Sequence, residues 1–210
     1  MRITKDRDTR RAELVDACTA LFLSKGYEGT MVSDVVRRVH VAQGTFYYYF
    51  KTKEEALDAV LEKLLAESVE RAARLASDGL QSAVQRLEGF FRMLFSPRGS
   101  IDMNPRYGRF LRETAVRVRL DDVQARLLQP VLKLLLDSGA DSGEFTRLQA
   151  SGDLAEVVLK GAAGFARGRM SAGTAEAEAA METLAEFMER LLGMPEHSLD
   201  FKDIVIRRRA

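Results

Sequence analysis

The stretch Thr30–Lys53 reads TMVSDVVRRVHVAQGTFYYYFKTK. Behind Thr30, a residue type that caps helices, Val32, Val35, Val36 and Val39 recur at helical spacing and predict a short amphipathic helix. A tight turn follows, and then a second, very short helix over about Gln43–Phe50. Phe46 and Phe50 stand four apart, so they share one face and can anchor in a core. Tyr47, Tyr48 and Tyr49 are thereby spread over the remaining faces. Three consecutive rings cannot all share the buried side, so at least one phenol must stand outside. Gln43 and Thr45 add hydrogen-bonding groups, with Lys51 and Lys53 directly behind. Hydrogen-bonding side chains on a short exposed helix, flanked by cations, suit a DNA groove and its phosphates. The two lysines oppose the dipole of the helix they introduce, a misfit that a facing phosphate relieves.

Working outward, a first helix is predicted from Asp8 or Thr9 to about Ser24. Leu14, Cys18, Leu21 and Phe22 form its buried stripe, and Lys25-Gly26 its stop. Three helices on short links, the last two forming a helix-turn-helix, fit the arrangement whose second member enters the major groove. On the other side, Thr52-Lys-Glu-Glu55 reads as a capping box in which Thr52 covers a free amide and Glu55 reaches back. The helix it opens carries Leu57, Val60, Leu61, Leu64, Leu65 and Val69 and is expected to run to about Ala76, a rod of roughly 35 Å. Further helices are predicted at about Leu80–Phe95, Pro105–Val118, Leu120–Ser138, Gly152–Met170 and Thr174–Leu192. Ser96–Asn104 and Gly139–Gly143 read as loops. The expected fold is all-α: a three-helix head over residues 1–53, a helical-bundle body over 54–193 entered through the long helix, and a tail over 194–210.

Composition agrees. The 210 residues are 46% hydrophobic and 30% charged, with four prolines, as in an ordinary soluble globular protein. The net charge of +1 conceals an asymmetry. Residues 1–53 hold ten Lys/Arg against six Asp/Glu, and the remainder twenty-two against twenty-five. A basic head on a slightly acidic platform suits a phosphate-facing role. No apolar run approaches the roughly 20 residues needed to cross a bilayer. The charged start lacks an apolar signal segment, so a cytoplasmic location without membrane association is expected. The lone Cys18 lies on a buried stripe and reads as an inert core thiol. His40 and His197 have no second ligand at metal spacing, so no metal site is expected, and no cofactor. A nucleophile elbow and a nucleotide loop are missing, which argues against an enzyme.

Taken together, Gly26-Tyr27-x-x-Thr30, the run Gln43–Phe50 and Lys51-x-Lys53-Glu54-x-x-Leu57 closely resemble the head of the tetracycline-repressor family. The specific match covers about residues 10–60. The resemblance implies a homodimeric, ligand-responsive transcription factor, usually a repressor, bound to a pseudo-palindromic operator. By position, Gln43, Thr45 and Tyr48 would face base edges, while Thr30, Tyr47, Tyr49, Lys51 and Lys53 would contact phosphates or lie beside them. Gly44 would let the backbone come close to the duplex. Two departures stand out. Val39-His40-Val41-Ala42 replaces the usual Ala-Gly-Val-Ser turn, which puts His40 where glycine would adopt a left-handed conformation. Ala42 replaces the usual cap, a loss of about 1 kcal/mol for that helix. The basic residues Arg2, Lys5, Arg7, Arg10 and Arg11 form either a backbone-tracking or minor-groove arm or a solvated tail.

In the body, Phe90, Phe91, Leu94, Met103, Tyr107, Phe110 and Leu111 are rich in aromatic and sulfur-bearing side chains of the kind that line an adaptable apolar cavity. Glu113 could orient a polar group of a small-molecule effector there; ordinary core and a surface helical pair with Arg117 are the competing readings. Gly161, Gly164 and Gly168 would each weaken a lone helix by close to 1 kcal/mol, which close approach of another helix offsets. Together with Phe165, Leu184, Phe187, Met188 and Leu191 they suggest a four-helix seam across a two-fold axis. The tail, ending in Arg207-Arg208-Arg209-Ala210, fits a helix, a strand on a partner or a frayed basic end. Two alternatives to a ligand-released repressor are a dimeric factor without small-molecule input and an activator acting through a protein partner.

Overall fold

The periodicity resolves into eight α-helices, with no strand among the described residues. The computed structural model describes residues 7–95, 107–146, 152–172, 174–201 and 204. The helices are α1 (Arg7–Lys25), α2 (Val32–Arg38), α3 (Gln43–Tyr49), α4 (Lys53–Ala76), α5 (Ala83–Phe95), α6 (Thr114–Asp141), α7 (Gly152–Ala172) and α8 (Thr174–Leu192), with a 3-10 turn at Phe110–Arg112 before α6. The described residues sort into two compact units. One takes the chain up to Leu65 and residues 107–123; the other takes the chain from Ala66 and again from Gln124. Helices α4 and α6 each contribute to both.

In the first unit the predicted stripe of α1 is the buried one: Leu14, Cys18, Leu21 and Phe22 all lie in the core. Gly26 ends that helix at φ 85°, a conformation natural to glycine, and its amide bonds Phe22 O at 3.0 Å. Val35 and Val36 of α2, Phe46 and Phe50 of α3, and Leu57, Val60, Leu61 and Leu65 of α4 complete the interior. Phe110 stacks on Phe22 with centroids 6.1 Å apart, so this unit draws on chain far downstream. An Asp58–Arg119 ion pair ties α4 to α6, and burial pushes the Cys18 thiol up to about 12.

The second unit packs Ala72, Leu87, Phe90, Phe91, Leu94, Leu128, Leu132, Leu135, Leu136, Leu159, Met181, Leu184, Met188 and Leu192 into one cluster. Helix α5 starts at Ala83 rather than Leu80 because Ser82 and Gln85 form a reciprocal cap: Ser82 Oγ accepts from Gln85 N at 3.1 Å and Gln85 Oε1 from Ser82 N at 3.0 Å. The two helices expected over Pro105–Val118 and Leu120–Ser138 are corrected to the 3-10 turn and a single α6, since no breaker separates Val116, Leu120 and Val123 on their buried stripe. Nor is Gly139 in a loop. It lies inside α6, where the Phe145 ring packs so closely that a β-carbon at 139 would fall 2.0 Å from it. The expected loop Ser96–Asn104 lies outside the described residues.

After α8 the chain turns at Gly193 (φ 67°) and His197 (φ 62°) and folds back. Glu189, a buried carboxylate, accepts from His197 N at 3.1 Å and Leu199 N at 2.8 Å, and Glu88 accepts from Asp200 N at 2.7 Å. Phe201 then lies on Phe91 at 5.2 Å, and Ile204 is buried in the same cluster. Residues 193–201 are thus folded back on the body and form no further α-helix, and the basic end Arg207–Arg209 lies outside the described residues.

Candidate nucleic-acid interface

Two short helices build the site. Val35, Val36, Phe46 and Phe50 hold them to the first unit's core, and the turn between them is closed by backbone bonds from His40 N to Arg37 O (3.3 Å) and from Val41 N to Val36 O (3.0 Å). His40 takes the left-handed conformation expected of its position, φ 55°. Ala42 begins α3 with no side-chain cap. Phe46 and Phe50 meet at 5.6 Å and are buried, which turns the rest of α3 outward. Tyr47 is 48% and Tyr48 66% exposed. Gln43, Gly44 and Lys51 are exposed, and Thr45, Tyr49 and Lys53 are half-buried. Tyr48 meets Tyr49 edge-on at 5.0 Å, which fixes both rings against each other.

Cations gather around the two helices. The Arg7 guanidinium lies 5.6 Å from the centre of the Tyr48 ring, and that of Arg11 5.3 Å from the centre of Phe50. Lys53 Nζ sits 4.2 Å from the Tyr27 ring. Arg37 and Arg38 close α2 and are exposed. Arg2 and Lys5, also expected here, lie outside the described residues. The sequence reading missed Arg37 and Arg38, although two adjacent arginines ending the first helix of the pair were a legible signal.

Thr30 requires correction. Helix α2 is capped at Met31, not Thr30, and Thr30 is 1% exposed with its hydroxyl donating to Gly26 O at 2.7 Å. Its role is to close the α1–α2 turn, and its side chain offers no surface to a phosphate. Asp34 replaces it as the organiser of the α2 start: Oδ2 accepts from Met31 N at 3.2 Å, and Lys25 (3.3 Å) and Arg37 (3.7 Å) flank the carboxylate. The Met31 amide, then Lys25, holds that carboxyl below its ordinary value. At α4, Thr52 Oγ1 accepts from Glu55 N at 3.2 Å as expected, but Glu55 reaches Lys51 N (2.7 Å), one residue further back than a capping box requires. Tyr27 is buried behind the site; its hydroxyl donates to Glu54 at 3.2 Å, and burial and Glu54 raise the phenol above its usual value.

The residues expected around a ligand divide between the units. Phe110, Leu111 and Glu113 belong to the first, with Tyr107; Phe90, Phe91 and Leu94 are buried in the second; Met103 lies outside the described residues. The Glu113 carboxylate accepts from Tyr27 N (3.1 and 3.0 Å) and Glu28 N (3.2 Å), a contact that sequence reading missed. Of the expected seam, Leu184 and Met188 lie on α8 and are buried in their own core. Gly161 and Gly164 are exposed, Phe165 and Leu191 half-buried, and Phe187 exposed; Gly168 lies on α7.

Residues 14–60 match the family model described as bacterial regulatory proteins, tetR family. The chain is 24% identical over 158 residues to the HTH-type transcriptional repressor DhaR of Mycobacterium sp. (strain GP1), covering 71% of this chain and 76% of that one. To the HTH-type transcriptional repressor KstR2 of Mycobacterium tuberculosis it is 29% identical over 94 residues, 45% of this chain and 46% of the relative, so that match spans less than half of KstR2. Among solved structures, RolR in complex with the ligand resorcinol shares the fold with a TM-score of 0.64 at 20% identity, over 96% of this chain and 95% of that one. A TetR-family transcriptional regulator from Pectobacterium atrosepticum does so with a TM-score of 0.64 at 22% identity, over 91% and 100%. Residues 14–60 therefore carry the head of the tetR family of bacterial regulatory proteins, on an all-helical fold that most of the chain shares with a solved regulator of that family.

Proposed function

We propose that the protein is a transcriptional repressor that binds a pseudo-palindromic operator as a homodimer and leaves it when a small apolar or amphipathic effector binds. The observation that carries this reading is the outward aromatic face of α3, with Tyr47 and Tyr48 exposed while Phe46 and Phe50 are sealed beneath. Gln43, Thr45 and Tyr48 read base edges; Tyr47, Tyr49, Lys51 and Lys53, with Arg7 and Arg37, hold phosphates. A β-carbon at Gly44 would meet nothing of its own chain, which leaves room for close backbone approach by a duplex.

The dimer is supported by α7 and α8. Val157 is 66% and Phe187 52% exposed beside an apolar groove of about 310 Å³ lined also by Gly161 and Phe165. A β-carbon at Gly161 or Gly164 would meet nothing within the chain, as a helix from a second copy requires. On the operator, the two α3 helices of such a dimer enter successive major grooves on one face of the DNA, roughly 34–36 Å apart or a multiple of that. Residues 1–53 are the reader, and 54–193 bind effector and partner. For the effector, support comes from the neighbours RolR and SmeT, solved with resorcinol and triclosan. We assign no enzymatic role. The operator places the protein in the cytoplasm, and no described helix is long and apolar enough to cross a membrane.

The test is a fluorescence-anisotropy titration against DNA upstream of the protein's own gene. Affinity should fall steeply with salt, and Tyr47→Ala with Lys53→Ala should weaken it at least about 100-fold. Undiminished binding by that double variant, or none by the wild type at low salt, refutes the reading.

A further inference from the structure

We propose that Glu113 is a positioning residue for DNA recognition. From the residue before α6, its carboxylate fixes the turn between α1 and α2 and so the pose in which α3 meets the duplex. The inference deepens the DNA-binding reading and rests on it. Oε1 accepts from Tyr27 N at 3.1 Å, and Oε2 from Tyr27 N at 3.0 Å and Glu28 N at 3.2 Å. A carboxylate on two successive main-chain amides is a charge-assisted contact, stronger than the neutral bonds around it. The turn is shaped to receive it. Gly26 sits at φ 85°, and a β-carbon there would stand 2.9 Å from Glu113 Oε1. Side chain and glycine therefore occupy complementary space.

From the clamped amides the effect passes to α2 in a few bonds. Thr30 N donates to Tyr27 O at 3.2 Å and the Thr30 hydroxyl to Gly26 O at 2.7 Å; Met31, the next residue, caps α2. The Tyr27 ring packs edge-on against Phe22 at 5.2 Å, and its hydroxyl reaches Glu54 at the start of α4. With Glu113 removed, two turn amides lose their acceptor and the one residue in the left-handed conformation loses its neighbour, so the turn can rearrange. Glu113 touches no nucleic acid in this scheme; it acts through the turn.

Charge alone predicts the opposite result, which makes the test sharp. Removing an anion from a phosphate-binding head should strengthen DNA binding, whereas loss of positioning should weaken it. The full chain and its E113A and E113Q variants are titrated, well below their melting transitions, against a duplex that the wild type selects from a random pool and against an unselected duplex of equal length. E113A should weaken binding to the selected duplex by about tenfold and change binding to the unselected one by less than about twofold, with E113Q between, since it keeps one acceptor. Hydrogen exchange should show Tyr27 and Glu28 amides deprotected in E113A while Leu14–Phe22 keep their protection. Selected-duplex affinity at or above wild type overturns the inference and leaves the DNA-binding reading intact. So does an equal loss on both duplexes with exchange raised throughout α1, the mark of mere destabilisation. Unchanged protection at Tyr27 and Glu28 removes the clamp itself. A wild type that selects no duplex sinks the DNA-binding reading and this inference with it, and is told apart by failing before any variant is compared.

Discussion

Gly44 separates folding from recognition. It lies in the first turn of α3 with open space where a β-carbon would go, and alanine is favoured over glycine in a helix by up to about 1 kcal/mol. Gly44→Ala should therefore raise the melting temperature by about 2–4 °C while weakening operator binding, because the added methyl group meets the duplex. Differential scanning calorimetry and anisotropy on the same sample check both signs. Gly26 behaves in the opposite way. Its φ of 85° and the Glu113 oxygen 2.9 Å from the β-carbon position mean that Gly26→Ala should cost about 1–2 kcal/mol, read in urea unfolding. Asp34 and Glu54 contribute to the response to acid. Asp34 is held below its ordinary value by the Met31 amide, then Lys25, and Glu54 by its own amide, then the Thr52 hydroxyl. A carboxyl depressed in the folded state contributes stability above its unfolded value, near 4, and loses it as pH falls through the lower folded value. Melting temperature should thus hold above about pH 5 and drop below about pH 4, less so in Asp34→Asn; an identical drop in that variant would remove Asp34 from the explanation. The anchors of α3 and the left-handed His40 were legible because spacing and chirality act within a few residues. The Glu113 clamp was not, since no local pattern records a bond to residue 27 from residue 113.

Among the elements, the 3.6-residue stripes located nearly every helix, and the misreadings arose where a tertiary contact overrode local preference. Gly139 with Gly143 nearby looks like a loop in sequence, yet α6 continues to Asp141 because Phe145 fills the space a side chain at 139 would need. Gly139→Ala improves helix propensity by up to about 1 kcal/mol, but it forces the Phe145 ring out of place, which costs about 1–3 kcal/mol. The net effect should be a lower melting temperature, and a rise would show that the ring relocates freely. The Thr30 misassignment has the same origin. Its hydroxyl closes the preceding turn onto Gly26 O at 2.7 Å, so a residue type that commonly caps α-helices serves a tighter turn just ahead of one. The Ser82–Gln85 cap of α5 was readable and was passed over because the apolar pattern extends back to Leu80.

At the scale of the molecule, an exposed Phe187 beside Val157 and the apolar α7–α8 groove predicts a self-association that one charge should disrupt. Phe187→Glu should yield a monomer in sedimentation velocity with helix content unchanged, and operator affinity should fall with it; a variant that remains dimeric would place the seam elsewhere. The sequence pointed to α7 and α8 but could not tell which side of α8 faces its own core, since Leu184 and Met188 are as apolar as Phe187. Distant stretches complete each interior: Phe110 stacks on Phe22 and Phe201 lies on Phe91. Synthesis proceeds from the amino end, so while the ribosome is still translating, Phe22 and later Phe91 wait in unfilled apolar slots for rings not yet made. The newborn polypeptide is therefore sticky for much of its translation, and chaperone dependence during expression should follow from the order in which these aromatic pairs emerge.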